Sequence, residues 1–471
     1  MDEDVSSNDE GDGGGDNGGG GSDDDSDAER ERAETAEEKR LRLAQEYLAK
    51  LGGELGSDED AAAGDGESDS ESEGEDGVIN RGVSEDRLAR RLERERLAAS
   101  GQLQRRLAAA LRGADLSDAT RIRALSGHRL AVTCVALSGD DATAFSGSKD
   151  NAVLRWDVET GARKVLCARW KKRPAAERAA RGGGGGGGEQ EHCAEVLAIA
   201  ASTDGRYVAA GGRDKLVRVW DCRTDEVVAS FSGHRDAVTA LAFRHGSYSL
   251  YSGSADRSIK HWGLSEMAYV ETLFGHQGEV NALDAFRRER AVSGARDGTA
   301  RAWKILEETH LVFRPGAGGS VDAVACIDDE WFLSGGEDGA LSLWFNLKKK
   351  PVAVAAAAHG VGRNGVAPWV CAAAAVRSSD LAVTGSSDGY IRLWHCDTDA
   401  RTLEQVNAIP LAGFVNGLSV ASTGRFAVAA VGQDHRLGRW ERQKDARNRV
   451  CIVPLTAPEG GVNGGGDDED E

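Results

Sequence analysis

The 471-residue chain carries 78 acidic and 58 basic side chains, for a net charge of −20, together with 61 glycines, eight cysteines and ten tryptophans. Residues 1–80 hold 28 of the acids and 6 of the bases, so the remaining 50 acids and 52 bases form a nearly neutral body, basic once the tail Asp467–Glu471 is set aside. No apolar run approaches the roughly 20 residues of a membrane span. The acidic N-terminus is no signal peptide, and the cysteines form neither a C-x-x-C pair nor a metal-ligand cluster with histidines. These features exclude a membrane partner, a metal centre and a cofactor, and they favour a reducing compartment.

In chain order, residues 1–80 read as a disordered acidic arm, because Gly, Asp, Ser and Asn leave nothing to bury. Within it, Leu41, Ala44, Tyr47, Leu48 and Leu51 recur at helical spacing, which predicts a helix over 34–51 that orders on a partner. Ser68, Ser70 and Ser72 each precede an acid by three residues, a pattern suited to an acid-directed kinase. Residues 81–119 are basic and predict helix from the cap Ser84, broken near Ser100-Gly101. Leu103, Leu107 and Leu111 share the second face, to pack on the body or to lie against a phosphate backbone.

One pattern then organises residues 120–456. A small-residue strand leads to a turn aspartate with a tryptophan six residues later, at Asp150/Trp156, Asp214/Trp220, Asp256/Trp262, Asp297/Trp303, Asp338/Trp344, Asp388/Trp394 and Asp434/Trp440. Successive tryptophans lie 64, 42, 41, 41, 50 and 46 residues apart, and Gly-His pairs open three of the units at His128, His234 and His276. A unit of about 40–45 residues with these marks resembles the WD-repeat family and implies a seven-bladed, all-β propeller with four strands per blade.

In that family a His, a strand Ser/Thr, the turn Asp and the Trp form a buried hydrogen-bonded set. By spacing, the complete sets are His128/Ser146/Asp150/Trp156, His234/Ser252/Asp256/Trp262 and His276/Ser293/Asp297/Trp303. The fifth and seventh repeats lack the His, and His359 of the sixth is followed by an insertion. A His-Asp-Ser group invites a catalytic reading, but several equivalent copies tied to a tryptophan are structural, and no enzyme is expected. Ring closure should use Arg121–Ser126, with Val450–Leu455 competing for the same place or adding a strand.

The long first gap holds an insertion over 162–191, basic and then glycine-rich. In it, Lys171, Lys172 and Arg173 read as a nuclear-import or RNA-contacting loop beside Trp170. Residues flanking each turn Asp share one end of a propeller. Lys149, Arg213, Lys215, Arg257 and Arg296, with loop residues Arg129 and Arg235, form a basic arc there that suits phosphates.

Several stretches go beyond the generic repeat: Glu34–Ala44, Gly233–Val238, Tyr269–Gln277, Gly432–Trp440 and Ala446–Leu455. They resemble the WD-repeat proteins of the U3 small nucleolar ribonucleoprotein. That resemblance implies a nucleolar, RNA-binding subunit of the small-subunit processome acting in pre-ribosomal RNA processing. Its implied partners are U3 small nucleolar RNA, a small RNA-binding core protein of the box C/D particle and other processome proteins, with the chain monomeric within the complex. The competing class is a cullin-4 ubiquitin-ligase substrate receptor, suggested by the W-D-x-R stretch Trp220–Arg223.

Overall fold

The computed structural model describes residues 104–167, 194–316, 318–362 and 365–456. The helix predicted at 34–51, the serines at 68–72, the loop residues Lys171, Lys172 and Arg173, and the acidic tail lie outside them.

Seven four-stranded antiparallel sheets follow one another around a ring. In the first, Val132–Leu137, Thr143–Ser148, Val153–Asp157 and Arg163–Cys167 run from the innermost strand, a, to the outermost, d. The inner strands are rich in small and branched residues because they are buried between neighbouring blades, whereas the outermost strand is largely exposed. Strand a of each blade packs against strand a of the next, and the first also meets the seventh, so no inner edge is left open.

The Ser-Gly step of strand b has a steric origin in this stacking. A Cβ on Gly147 would lie 2.6 Å from Val196 Cγ1, and one on Gly211 2.5 Å from Val238 Cγ1; Gly253, Gly294 and Gly335 meet Val280, Val321 and Val370 in the same way. The first valine of each following blade occupies the space a side chain would take. Core packing at interior density leaves no room to relax this contact.

Of the two closures left open by the sequence, the structure has the one with an added strand: both segments enter the last blade. Its strands are Phe414–Val420, Phe426–Gly432, Arg449–Pro454 and, outermost, Arg123–Leu125, which pairs Ala124 with Cys451. Consequently Trp440 is not the marker of strand c. It lies in residues 433–448, which leave strand b and cross the end of the ring before strand c begins. The Asp-to-Trp spacing there is a coincidence of a turn-rich segment, and Ala430 stands where the strand serine would be.

The insertion after the first blade also starts later than expected, since Arg163–Cys167 is the outermost strand of that blade. Helix in the described part of 81–119 shrinks to Ala108–Leu111, a single turn. Asp380 caps it, accepting from Leu107 N at 2.7 Å and Ala108 N at 3.1 Å. Ala108, Leu111 and Leu116 are buried against Leu381, Ile409 and Val453 of the last two blades, so this segment packs on the propeller.

Candidate functional site

Four of the blades share one internal chemistry. In the first, Trp156 Nε1 donates to Ser146 Oγ at 2.7 Å, and Ser146 lies 2.8 Å from His128 Nε2. His128 Nδ1 faces Asp150 Oδ1 at 3.3 Å, while the other carboxylate oxygen accepts from Arg129 N at 2.8 Å. An ionised Asp can only accept, so His carries its proton on Nδ1 and Ser donates to Nε2. The chain of donors runs from Trp through Ser and His to Asp without a gap.

The third and fourth blades repeat the set with the residues that spacing assigned. In the third, Trp262 Nε1 donates to Ser252 Oγ at 2.8 Å, Ser252 lies 2.7 Å from His234 Nε2, and His234 Nδ1 lies 3.0 Å from Asp256. In the fourth, Trp303 Nε1 donates to Ser293 Oγ at 2.8 Å, Ser293 lies 2.7 Å from His276 Nε2, and His276 Nδ1 lies 3.1 Å from Asp297. Ser293 and Trp303 are both buried, so neither presents a group to a ligand; their part is to hold the blade.

A further set, which spacing did not assign, closes in the sixth blade. His359 reaches Thr384 Oγ1 at 2.9 Å and Asp388 at 3.0 Å despite the intervening insertion, and Trp394 Nε1 donates to Thr384 at 2.8 Å. Its spacing of 25 residues from His to Thr, against 17 or 18 in the other sets, is why pattern reading missed it.

Burial opposes ionisation of Asp150, but the His128 ring and the Arg129 and Ala152 amides outweigh it and hold its carboxyl at about 2. Burial likewise keeps His276 below its ordinary value, against the pull of Asp297. These side chains are consumed by each other at nearly full burial. They offer substrate neither space nor a reactive group.

The surface beside them is different. Lys149 leaves the proposed arc: it is 4% exposed, and its ammonium donates to the carbonyls of His435 at 2.5 Å and Gly438 at 3.1 Å. Burial lowers its pKa, with Glu195 and Asp434 opposing. Arg213 pairs with Glu195 at 2.9 Å and touches the Leu437 carbonyl at 3.2 Å; Lys215 donates to the Arg235 carbonyl at 2.6 Å. Arg129, Arg235 and Arg257 are exposed at the same end, the first two holding the set aspartates only through their backbone amides. Arg257 occupies the turn at φ 70°.

Arg296 faces a cleft of about 610 Å³ between the fourth and fifth blades, lined also by Arg301, Arg314, Gly319 and Glu337. Glu279 lies 3.5 Å from Arg296. Arg301 differs from its counterparts Arg218 and Arg392, which pair with Asp214 and Asp388 at 2.5 and 3.2 Å. It donates to His310 Nε2 at 2.7 Å, and its buried Nε has no partner in the structure. The arc therefore has three outward arginines, two cations shared with neighbours and one arginine-lined cleft.

Residues 433–448, which the sequence pattern places in a seventh repeat through Asp434 and Trp440, complete this end of the ring. Arg436 reaches down the central channel to the carbonyls of Asn281 at 2.5 Å and Asp322 at 3.3 Å. Gln443 donates to Ser387 O at 2.6 Å, and Gln433 is held by Asn448 and the Ala446 carbonyl. The loop thus binds to the first, second, fourth, fifth and sixth blades at once. Among the described residues no group of three or more His, Cys, Asp or Glu is placed to hold a metal ion.

The family described as "WD domain, G-beta repeat" matches residues 119–157, 189–221, 225–263, 267–304 and 365–395. Over 433 residues the chain is 36% identical to "U3 snoRNP-associated protein-like EMB2271" of Arabidopsis thaliana, covering 90% of this chain and 86% of the relative. It is 41% identical to "U3 small nucleolar RNA-interacting protein 2" of Homo sapiens, covering 90% and 82%. Two solved structures, "Structure of U3-55K" and "Crystal structure of RRP9 WD40 repeats", each superpose with a TM-score of 0.66 at 44% identity over 72% of this chain and 99% of theirs.

Proposed function

Because the chain belongs to the family of U3 snoRNP-associated WD-repeat proteins, we propose that it is a non-catalytic, RNA-binding subunit of the U3 small nucleolar ribonucleoprotein. In this reading it acts in the nucleolus, in processing of pre-ribosomal RNA toward the small-subunit RNA. Its partners are U3 small nucleolar RNA, a small RNA-binding core protein of the box C/D particle and other proteins of the small-subunit processome.

The observation that carries the reading is the placement of Arg129, Arg235 and Arg257 on one end of a rigid ring, beside histidine sets that have no free valence. Blade chemistry fixes the turns, and the turns present the cations. Phosphates are the ligand such an arc fits, because guanidinium forks match their oxygens in pairs. Arg213 and Lys215 can add to it by leaving a carboxylate or carbonyl, at the expense of those contacts.

Filter-binding titration against U3 RNA tests this. Reversing Arg129, Arg235 and Arg257 to Glu should weaken binding and flatten its salt dependence, each lost phosphate contact removing about 0.7–0.9 from the slope. An unchanged slope with unchanged affinity refutes the arc as the RNA surface.

A further inference from the structure

Trp440 is the one tryptophan among the described residues that the fold leaves open, at 60% exposure, although six others in the same sequence pattern are buried. Leaving a large aromatic ring in water forgoes the free energy of burying it. The surrounding geometry fixes the ring rather than leaving it on a loose tip. Asp434 and Arg442 pair as an isolated antiparallel bridge at the base of the turn that carries it. The ring packs back over Gly438, where any Cβ would collide with it. Gly438 in turn holds the ammonium of Lys149, and Leu437 holds Arg213.

Beside the exposed ring, His435 lies 5.2 Å away at an interplanar angle of 36°, and Trp369 lies 5.9 Å away at 51°. Burial, reinforced by Arg436 and Lys149, pushes His435 down to about 3, so it sits in this cluster as a neutral ring. Trp369 is anchored through its carbonyl by Ser386 at 2.6 Å. Arg439 and Arg442 flank the platform, both largely exposed, with Asp434 at 3.7 and 3.9 Å; Arg442 also donates to Gln433 Oε1 at 2.7 Å, which holds its guanidinium in place with donors left over.

We propose that Trp440, backed by His435 and Trp369 and flanked by Arg439 and Arg442, is a stacking platform for an unpaired RNA base at the mouth of the central channel. This rests on the RNA-binding reading above and extends it from phosphates to bases. An open π-face accepts any base, and neighbouring arginines take the adjoining phosphates. The platform is continuous with the basic arc, because Arg213 contacts the same loop. A proline-rich or other extended peptide would also use an exposed tryptophan, but flanking cations favour a polyanion.

The experiment uses the full chain and U3 RNA transcript, with binding measured across a salt series. Trp440→Ala should weaken binding about 5- to 150-fold, the range for stacking of one base. Its salt slope should match the wild type, since no phosphate contact is removed. Trp440→Phe should recover most of the affinity, and neither variant should shift the thermal midpoint. Wild-type affinity in Trp440→Ala, while reversal of Arg235 and Arg257 still impairs binding, overturns the platform and leaves the RNA reading standing. Failure of Trp440→Phe to recover affinity overturns stacking as the mechanism. Unchanged RNA affinity with loss of a protein partner from the assembled particle assigns the face to a peptide and overturns the proposal. Absence of RNA binding by the wild-type chain refutes both readings together.

Discussion

Ser252 accepts a hydrogen bond from Trp262 and donates one to His234, all three being buried. Ser252→Ala removes both partners at once and leaves two buried polar groups unsatisfied, at about 1–3 kcal/mol for each. Urea denaturation should show a lowered midpoint with an unchanged slope; an unmoved midpoint would mean the set carries no stability. Ser293, between Trp303 and His276, is placed alike and should respond alike. Trp440→Ala should by contrast leave stability within about 0.5 kcal/mol, as expected of an exposed side chain outside the core. The comparison separates a tryptophan that holds a blade, such as Trp262 or Trp303, from one that only shares its spacing. Spacing could not separate them, because it records turn length and not whether a strand follows.

The same sets govern the response to acid. Asp150 is held at about 2, below its unfolded value of roughly 3.9. A depressed carboxyl contributes stability that is present above the unfolded value and is lost as pH falls through the folded one, here between about 4 and 2. His435, pushed down to about 3, behaves alike but over a higher window, because the unfolded imidazole protonates near 6.5. Stability should therefore fall from about pH 6.5 downward, by at most about 1.4 kcal/mol per pH unit from this group. His435→Gln should flatten that part of the curve in urea midpoints measured from pH 7 to 4. An identical slope in the variant would show that His435 is not the titrating group.

At the scale of elements, the strand Arg123–Leu125 decides whether the ring is closed by a strand from ahead of the first blade. Leu125 is buried with Val132, Val428 and Ile452 across the first and last blades. Leu125→Ala should cost about 2–5 kcal/mol, the range for a large-to-small change in a packed core. A cost under about 0.5 kcal/mol in denaturant unfolding would indicate that the outer strand does not contribute to closure.

Much of this architecture was legible, since period, turn aspartates and strand serines follow from inter-blade packing that repeats. What escaped was whatever did not repeat. His359 arrives at its set from an unusual distance, and the described part of the predicted basic helix is one turn capped by a carboxylate of the sixth blade. Long-range partners of this kind leave no local periodicity to read. Lys149 shows the same limit at the surface: its flanking position predicted an outward cation, but a loop some 286 residues away covers it.

For the whole molecule, one end of the ring gathers the outward arginines, the arginine-lined cleft and the Trp440 turn. In the proposed function RNA lies across this end, meeting phosphate-binding arginines on the early blades and a base-stacking ring at the channel mouth. Ultraviolet crosslinking of U3 RNA to the full chain, followed by mapping of the modified peptides, tests it most directly. Adducts are expected within 129–131, 149–151, 235–237, 255–257 and 434–442. Adducts confined to the opposite end of the ring, on the turns at 244–248 and 286–290, would contradict it.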